Sequence, residues 1–169
     1  MKLEHVIAIV RDLNEAGVRY LIVGGLAVNA HGHVRYTNDL DLVIGLDPVN
    51  IRLGLDTLAK QGYRPRIPLT SEQFANAKLR NQWGNEKGLV VLSLWNERWK
   101  ETPIDVFVRE PFNFTAEYEV AKLVPLASGL SAPVVALPAL FRMKKEAGRP
   151  RDLDDIVELT RIEELRHEK

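Results

Sequence analysis

Apolar residues recur every three or four positions at Leu3, Val6, Ile7, Val10 and Leu13, so the chain opens on an amphipathic helix with Gly17 as its left-handed cap. Tyr20 to Val23 is a short apolar run that stops at Gly24 and Gly25, and the small, helix-compatible stretch Leu26 to His31 follows. Strand, tight turn and helix is the order this predicts. Asp39 to Ile44 alternates carboxylate and leucine and then turns wholly apolar, the pattern of a strand polar at its entrance and buried further in. Gly45 and Pro48 bracket its exit.

Asp47 and Pro48 read as N-cap and first turn of a helix marked by Ile51, Leu55 and Leu58 and ending near Gly62. Thr70 and Gln73 form a capping-box pair ahead of a short helix through Phe74 and Leu79. Leu89 to Trp95 and Ile104 to Val108 are strand candidates joined by a polar segment that suits a hairpin loop, and the pair extends the sheet. From Phe112 to Val135, prolines, Gly129 and short apolar runs allow strands or loops. Pro138 opens a helix through Leu140, Phe141 and Met143; Gly148 and Pro150 separate it from a last helix with Leu153, Ile156, Val157 and Leu165. The expected fold is a mixed central sheet flanked by helices, α/β (α+β) in class. All 169 residues form one domain, its sheet at about 18–110 and its C-terminal helical part at about 137–169.

The pattern places chemistry at one end of that sheet. Side chains alternate along a strand, so Asp39 and Asp41 face one way while Leu40 and Leu42 face the core. Two carboxylates so close repel unless a proton, water or a cation intervenes, and hard oxygen donors favour Mg2+ or Mn2+. Asp105 lies in an apolar run, where an unpaired charge is costly; a metal or a basic partner would account for it. If its strand neighbours that of Asp39 and Asp41, it becomes a third ligand able to accept the proton of an acceptor hydroxyl. Gly24 and Gly25 let backbone amides approach phosphate oxygens, and the helix after them presents its N-terminus to anions.

Composition narrows the partners. The 23 basic and 23 acidic residues cancel, so global charge points to neither nucleic acid nor membrane. Cysteine is absent, which excludes disulfides and thiolate metal sites. No apolar run approaches the ~18 residues of a membrane span, and no signal-like leader is evident, so the expectation is a cytoplasmic protein without membrane contact. His31 and His33 lack a third ligand nearby and are assigned no role. Trp83, Trp95 and Trp99 are read as packing residues ahead of base stacking. Arg142, Lys144, Lys145, Arg149 and Arg151 form a better candidate for polyanion contact.

In combination, Gly24-Gly25, Asp39-Leu40-Asp41 and Asp105 resemble the nucleotidyltransferase superfamily related to DNA polymerase beta. The wording from Val23 to Ala27 and from Arg35 to Asp41 is similar to small bacterial abortive-infection toxin (AbiEii-like) nucleotidyltransferases. The segment from Met143 and Lys144 through Arg149, Asp152 and Asp155 looks like their C-terminal helical motif, so the resemblance covers Tyr20 to about Leu159. It implies that Gly24 and Gly25 hold a triphosphate, that Asp39 and Asp41 bind both metals, that Asp105 completes the catalytic site and that Lys144 contacts nucleotide phosphate. Arg35 and Thr37 brace the loop before the metal strand or touch phosphate. Asp152 and Asp155 orient Lys144 or Arg149, with a helix-capping role open for Asp152. Where some members place a hydroxyl after the glycines, this chain has Leu26 and Ala27, so phosphate binding rests more on backbone.

The implied activity is Mg2+-dependent transfer of a nucleoside monophosphate from an NTP to an acceptor, with release of pyrophosphate. Transfer RNA, a protein or a small molecule is the acceptor, and a toxin acting beside an antitoxin, or a homodimer, is within the family's range. The rival expectation is a catalytically inactive module of the same fold that binds nucleotide, RNA or a partner protein.

Overall fold

The computed structural model describes residues 1–168. The chain runs α1 (Leu3–Glu15), β1 (Tyr20–Ile22), α2 (Gly24–His31), β2 (Leu40–Ile44), α3 (Pro48–Lys60), β3 (Tyr63–Pro65), α4 (Ser71–Ala75) and α5 (Ala77–Glu86). It continues with β4 (Val91–Asn96), β5 (Ile104–Phe107), α6 (Phe114–Glu119), β6 (Lys122–Ala127), β7 (Leu130–Val134), α7 (Leu137–Ala147) and α8 (Pro150–His167). The seven strands form one mixed sheet in the order β3-β4-β5-β2-β1-β7-β6, flanked by helices. β1 is antiparallel to β2 and parallel to β7, β2 is parallel to β5, and the other neighbours are antiparallel.

Local chemistry sets many of the boundaries. Gly17 adopts φ +73° just beyond α1. Asp47 accepts the amide hydrogens of Val49 and Asn50 at the start of α3, and Thr70 and Gln73 form a reciprocal capping box on α4. The helix expected to run through Leu79 is two helices instead. Asn76 takes extended backbone angles, ends α4, and caps α5 by accepting from Lys78 and Leu79. Between Phe112 and Val135 the structure has a helix as well as strands: α6 starts on Asn113, which accepts from the Ala116 amide, and β6 and β7 form a hairpin at Gly129, φ +68°. β3 has only three residues and no apolar alternation, and its Pro65 is tolerated because the strand lies at the sheet edge.

The core lies against the central strands. Tyr20, Leu21, Leu40, Leu42, Ile104 and Val106 are fully buried, and Ile9 and Leu13 of α1 and Ile51 and Leu58 of α3 join them. α1 packs on α3 and β7, while α2 packs on β2, α7 and α8. That second group of helices surrounds the end of the sheet that carries the carboxylates. No described helix is long and apolar enough to cross a membrane.

Candidate metal and phosphate site

The parallel register of β2 and β5 sets Asp41 directly opposite Asp105, with Leu40 opposite Ile104 and Leu42 opposite Val106. The leucine, isoleucine and valine side chains go to the core, which turns the aspartates to the other face. Asp39 precedes Asp41 by two residues, and one carboxylate oxygen from each of the three lies within 4.8 Å of the others. All three are half-buried. The third carboxylate expected from sequence therefore stands beside the first two.

Asp41 is held most tightly. Gly24 has φ +62°, and a β-carbon built on it would collide with the Asp41 carboxylate. The next amide, that of Gly25, donates a hydrogen bond to the same carboxylate. A β-carbon on Gly25 would strike the Thr37 hydroxyl. The two glycines thus admit Asp41 and Thr37 to the turn at the N-terminus of α2, and they stand on the lining of the cleft described below. Burial, then the charges of Asp39 and Asp105, push the Asp41 carboxyl up from 3.8 to about 7, with Gly25 and Lys144 opposing the rise. A divalent cation would remove that penalty, since the donors are hard oxygens at the right separation. Mg2+ or Mn2+ fits this donor set.

Neighbouring hydroxyls fix the other two. Ser93 stands opposite Asp105 on β4, and its Oγ donates to Asp105 Oδ1 at 2.6 Å. The Thr37 Oγ1 lies 3.4 Å from Asp39 Oδ1. Ser93 was not anticipated from sequence. Its place opposite Asp105 follows from the β4–β5 register, Leu94 with Ile104 and Ser93 with Asp105, which the hairpin pattern alone does not fix.

Arg35 and Lys144 meet on one buried carboxylate. Arg35 donates from Nε at 2.5 Å and from Nη2 at 2.7 Å to Asp155, and Lys144 Nζ lies 2.6 Å from Asp155 Oδ2 and 2.9 Å from Asp152 Oδ1. Asp155 is 1% exposed. Its burial favours the neutral acid, but the hydrogen bonds from Arg35 and Lys144 and their charges hold its carboxyl below the ordinary value. Asn29 of α2 clamps the Arg35 backbone from both sides, accepting from its amide at 3.0 Å and donating to its carbonyl at 2.9 Å. Arg35 therefore braces the loop before β2, and Asp152 and Asp155 orient Lys144 from α8.

These groups share one cleft of about 850 Å3, lined by Gly24, Gly25, Arg35, Thr37, the three aspartates and Lys144. Arg149, Arg151 and Asp152 also lie on it, whereas Asp155, Arg142 and Lys145 do not line it. His31 and His33 do not: His31 is buried with Nε2 2.8 Å from the Val135 carbonyl, and His33 Nε2 stands 3.8 Å from Asp155. Trp99 stacks on His5 and Trp83 on Phe74, which are packing contacts. No protein-family model matches the chain, and no curated protein matches it.

Proposed function

We propose that this chain is a metal-dependent nucleotidyltransferase, with the fold of that superfamily, that moves a nucleoside monophosphate from a nucleoside triphosphate to a hydroxyl-bearing acceptor. The observation that carries the reading is the in-register pair Asp41 and Asp105, joined by Asp39 within 4.8 Å beside a glycine turn that opens a helix. The motif resemblance from Tyr20 to about Leu159 supports it.

Asp39, Asp41 and Asp105 would hold Mg2+ or Mn2+, which supplies charge neutralisation and Lewis acidity at the α-phosphate. The turn at Gly24 and Gly25 and the N-terminus of α2 stand beside them on the cleft, where they suit the phosphate chain. Ser93 occupies Oδ1 of Asp105 and leaves Oδ2 to take the acceptor's proton. The acceptor oxygen then bonds to the α-phosphorus, the bond to the β-phosphate bridge breaks, and pyrophosphate leaves. Lys144 lends positive charge to the cleft wall while Asp152 and Asp155 fix its position. Catalysis is positioning plus charge stabilisation.

The test is incubation with α-labelled triphosphates, Mg2+ and a panel of acceptors, comparing wild type with Asp41→Ala. Transfer by wild type and its loss in the variant are expected. Absence of transfer to every acceptor, or equal transfer by the variant, would overturn the proposal.

A further inference from the structure

Five cationic side chains line the cleft: Arg35, Arg109, Lys144, Arg149 and Arg151. Arg35 and Lys144 are neutralised by Asp155 and Asp152. The other three have no carboxylate partner among the described residues. Charge available to an incoming anion therefore resides on these three; Arg151 donates to the Tyr36 carbonyl, and Arg109 is seated on α5.

Arg109 Nη2 donates to the Asn81 carbonyl at 3.2 Å and to Asn85 Oδ1 at 2.5 Å, both on α5. Both partners are neutral oxygens, so the positive charge is oriented but not cancelled. Between them in sequence lies Gly84, where a β-carbon would come within 2.8 Å of Nη2 and 2.9 Å of Cζ and Nε. A glycine inside a helix is destabilising relative to alanine. Here that cost admits a guanidinium against bare backbone. Its Nε and Nη1 have no hydrogen-bond partner among the described residues and remain for a ligand.

The strand places this seat relative to the chemistry. Asp105 and Phe107 share one face of β5, with Ser93 and Val91 opposite them on β4, and Arg109 follows in the bend two residues past the end of the strand. The cleft floor thus passes from carboxylate through an apolar step to guanidinium, with Leu140 and Met143 of α7 also lining it. The glycine turn lies across β2 on β1, on the other side of Asp105. Glu110 and Glu146 also line the cleft, and Glu110 accepts from the Leu46 amide at 3.0 Å.

We propose that Arg109 binds a phosphate group of the acceptor, so that the site selects a phosphorylated acceptor whose hydroxyl lies at Asp105 and whose ring or chain crosses Phe107 and Val91. This rests on the nucleotidyl-transfer reading for the role of Asp105. A guanidinium with two free donor groups suits bidentate phosphate contact.

The probes are adenosine and adenosine 5′-monophosphate, which differ only in the phosphate. Binding is measured calorimetrically on the full chain with Mg2+ and a saturating nonhydrolysable triphosphate, which keeps the probes out of the triphosphate position. Wild type should prefer the monophosphate at least about tenfold, the scale of a charge-assisted hydrogen bond to a phosphate. Arg109→Met should reduce the preference to about twofold or less, and Arg109→Lys should restore part of it. Gly84→Ala keeps the arginine but displaces it, and should lose most of the preference with unchanged far-UV circular dichroism. Equal affinity of wild type for the two probes, or a wild-type ratio in Arg109→Met, overturns the proposal. The two readings fail separately. Absent nucleotide transfer with a phosphate preference that needs Arg109 removes only the transfer reading, whereas transfer without that preference removes only the role of Arg109.

Discussion

Replacing Asp41 by asparagine should make the metal-free protein more stable at pH 8. The folded chain keeps the Asp41 proton up to about pH 7, whereas the unfolded chain releases it near 3.8. Between those values the folded state binds more protons, so stability falls as pH rises through that window, and above it the full penalty stands. The gap corresponds to about 4 kcal/mol at 1.36 kcal/mol per pH unit. That is an upper figure, since asparagine keeps the bulk but not the shape of a carboxylate's hydrogen bonding. For a domain of this length it raises the melting temperature by roughly 10 °C. At pH 4 the folded wild type is protonated at Asp41 and the difference should nearly vanish. Mg2+ should close most of that gap at pH 8, because a ligand at 100 times its Kd adds about 2.7 kcal/mol to a chain that binds it. Thermal and urea melts of both proteins at pH 4 and pH 8, in chelator and in Mg2+, measure all of this. A wild type as stable as Asp41→Asn at pH 8 in chelator would refute the reasoning, because it would mean the three carboxylates tolerate one another without a cation.

Gly24→Ala combines a positive φ with a collision against the Asp41 carboxylate, so it should destabilise the chain by about 1–3 kcal/mol and abolish Mn2+ binding by electron paramagnetic resonance. Ser93→Ala should lower Mn2+ affinity by about 10- to 100-fold with little change in melting temperature, as expected when a hydrogen bond orienting a metal ligand is lost. Asp155→Ala leaves Arg35 and Lys144 without their shared buried partner and should cost about 3–5 kcal/mol in urea denaturation. An Asp155→Ala protein of wild-type stability would mean the cluster is solvated in solution.

Much of the site was legible in the sequence because it depends on short-range geometry. Asp39 and Asp41 come together by their two-residue spacing at the entrance of β2, and Gly24 and Gly25 mark a turn only small residues can make. Asp105 was legible from its cost, being a charge in an apolar run. Its partner Ser93 and its register with Asp41 depend on which strands pair, which one-dimensional pattern does not specify. Asp152 and Asp155 were named from the resemblance as orienting Lys144 or Arg149, whereas the pairing of Asp155 with Arg35 depends on the packing of α8 near α2, which the pattern does not specify. In the fold, α1 and α3 follow from strong periodicity and caps, whereas β3 and α6 are too short to carry a period. Asn76 stopped a helix because its side chain bonds to the next turn rather than its own, a choice that apolar spacing does not record.

The clamp between Arg35 and Asp155 joins positions 120 residues apart. Closing so long a loop is entropically costly, and contacts of this separation form late when a chain folds. The strand that carries Asp41 is thus braced only after α8 has docked. A nascent chain on the ribosome, with α8 still in the exit tunnel, would have its three aspartates but not the clamp that sets the loop before them. The brace on this end of the cleft would therefore form only once α8 has left the tunnel and docked.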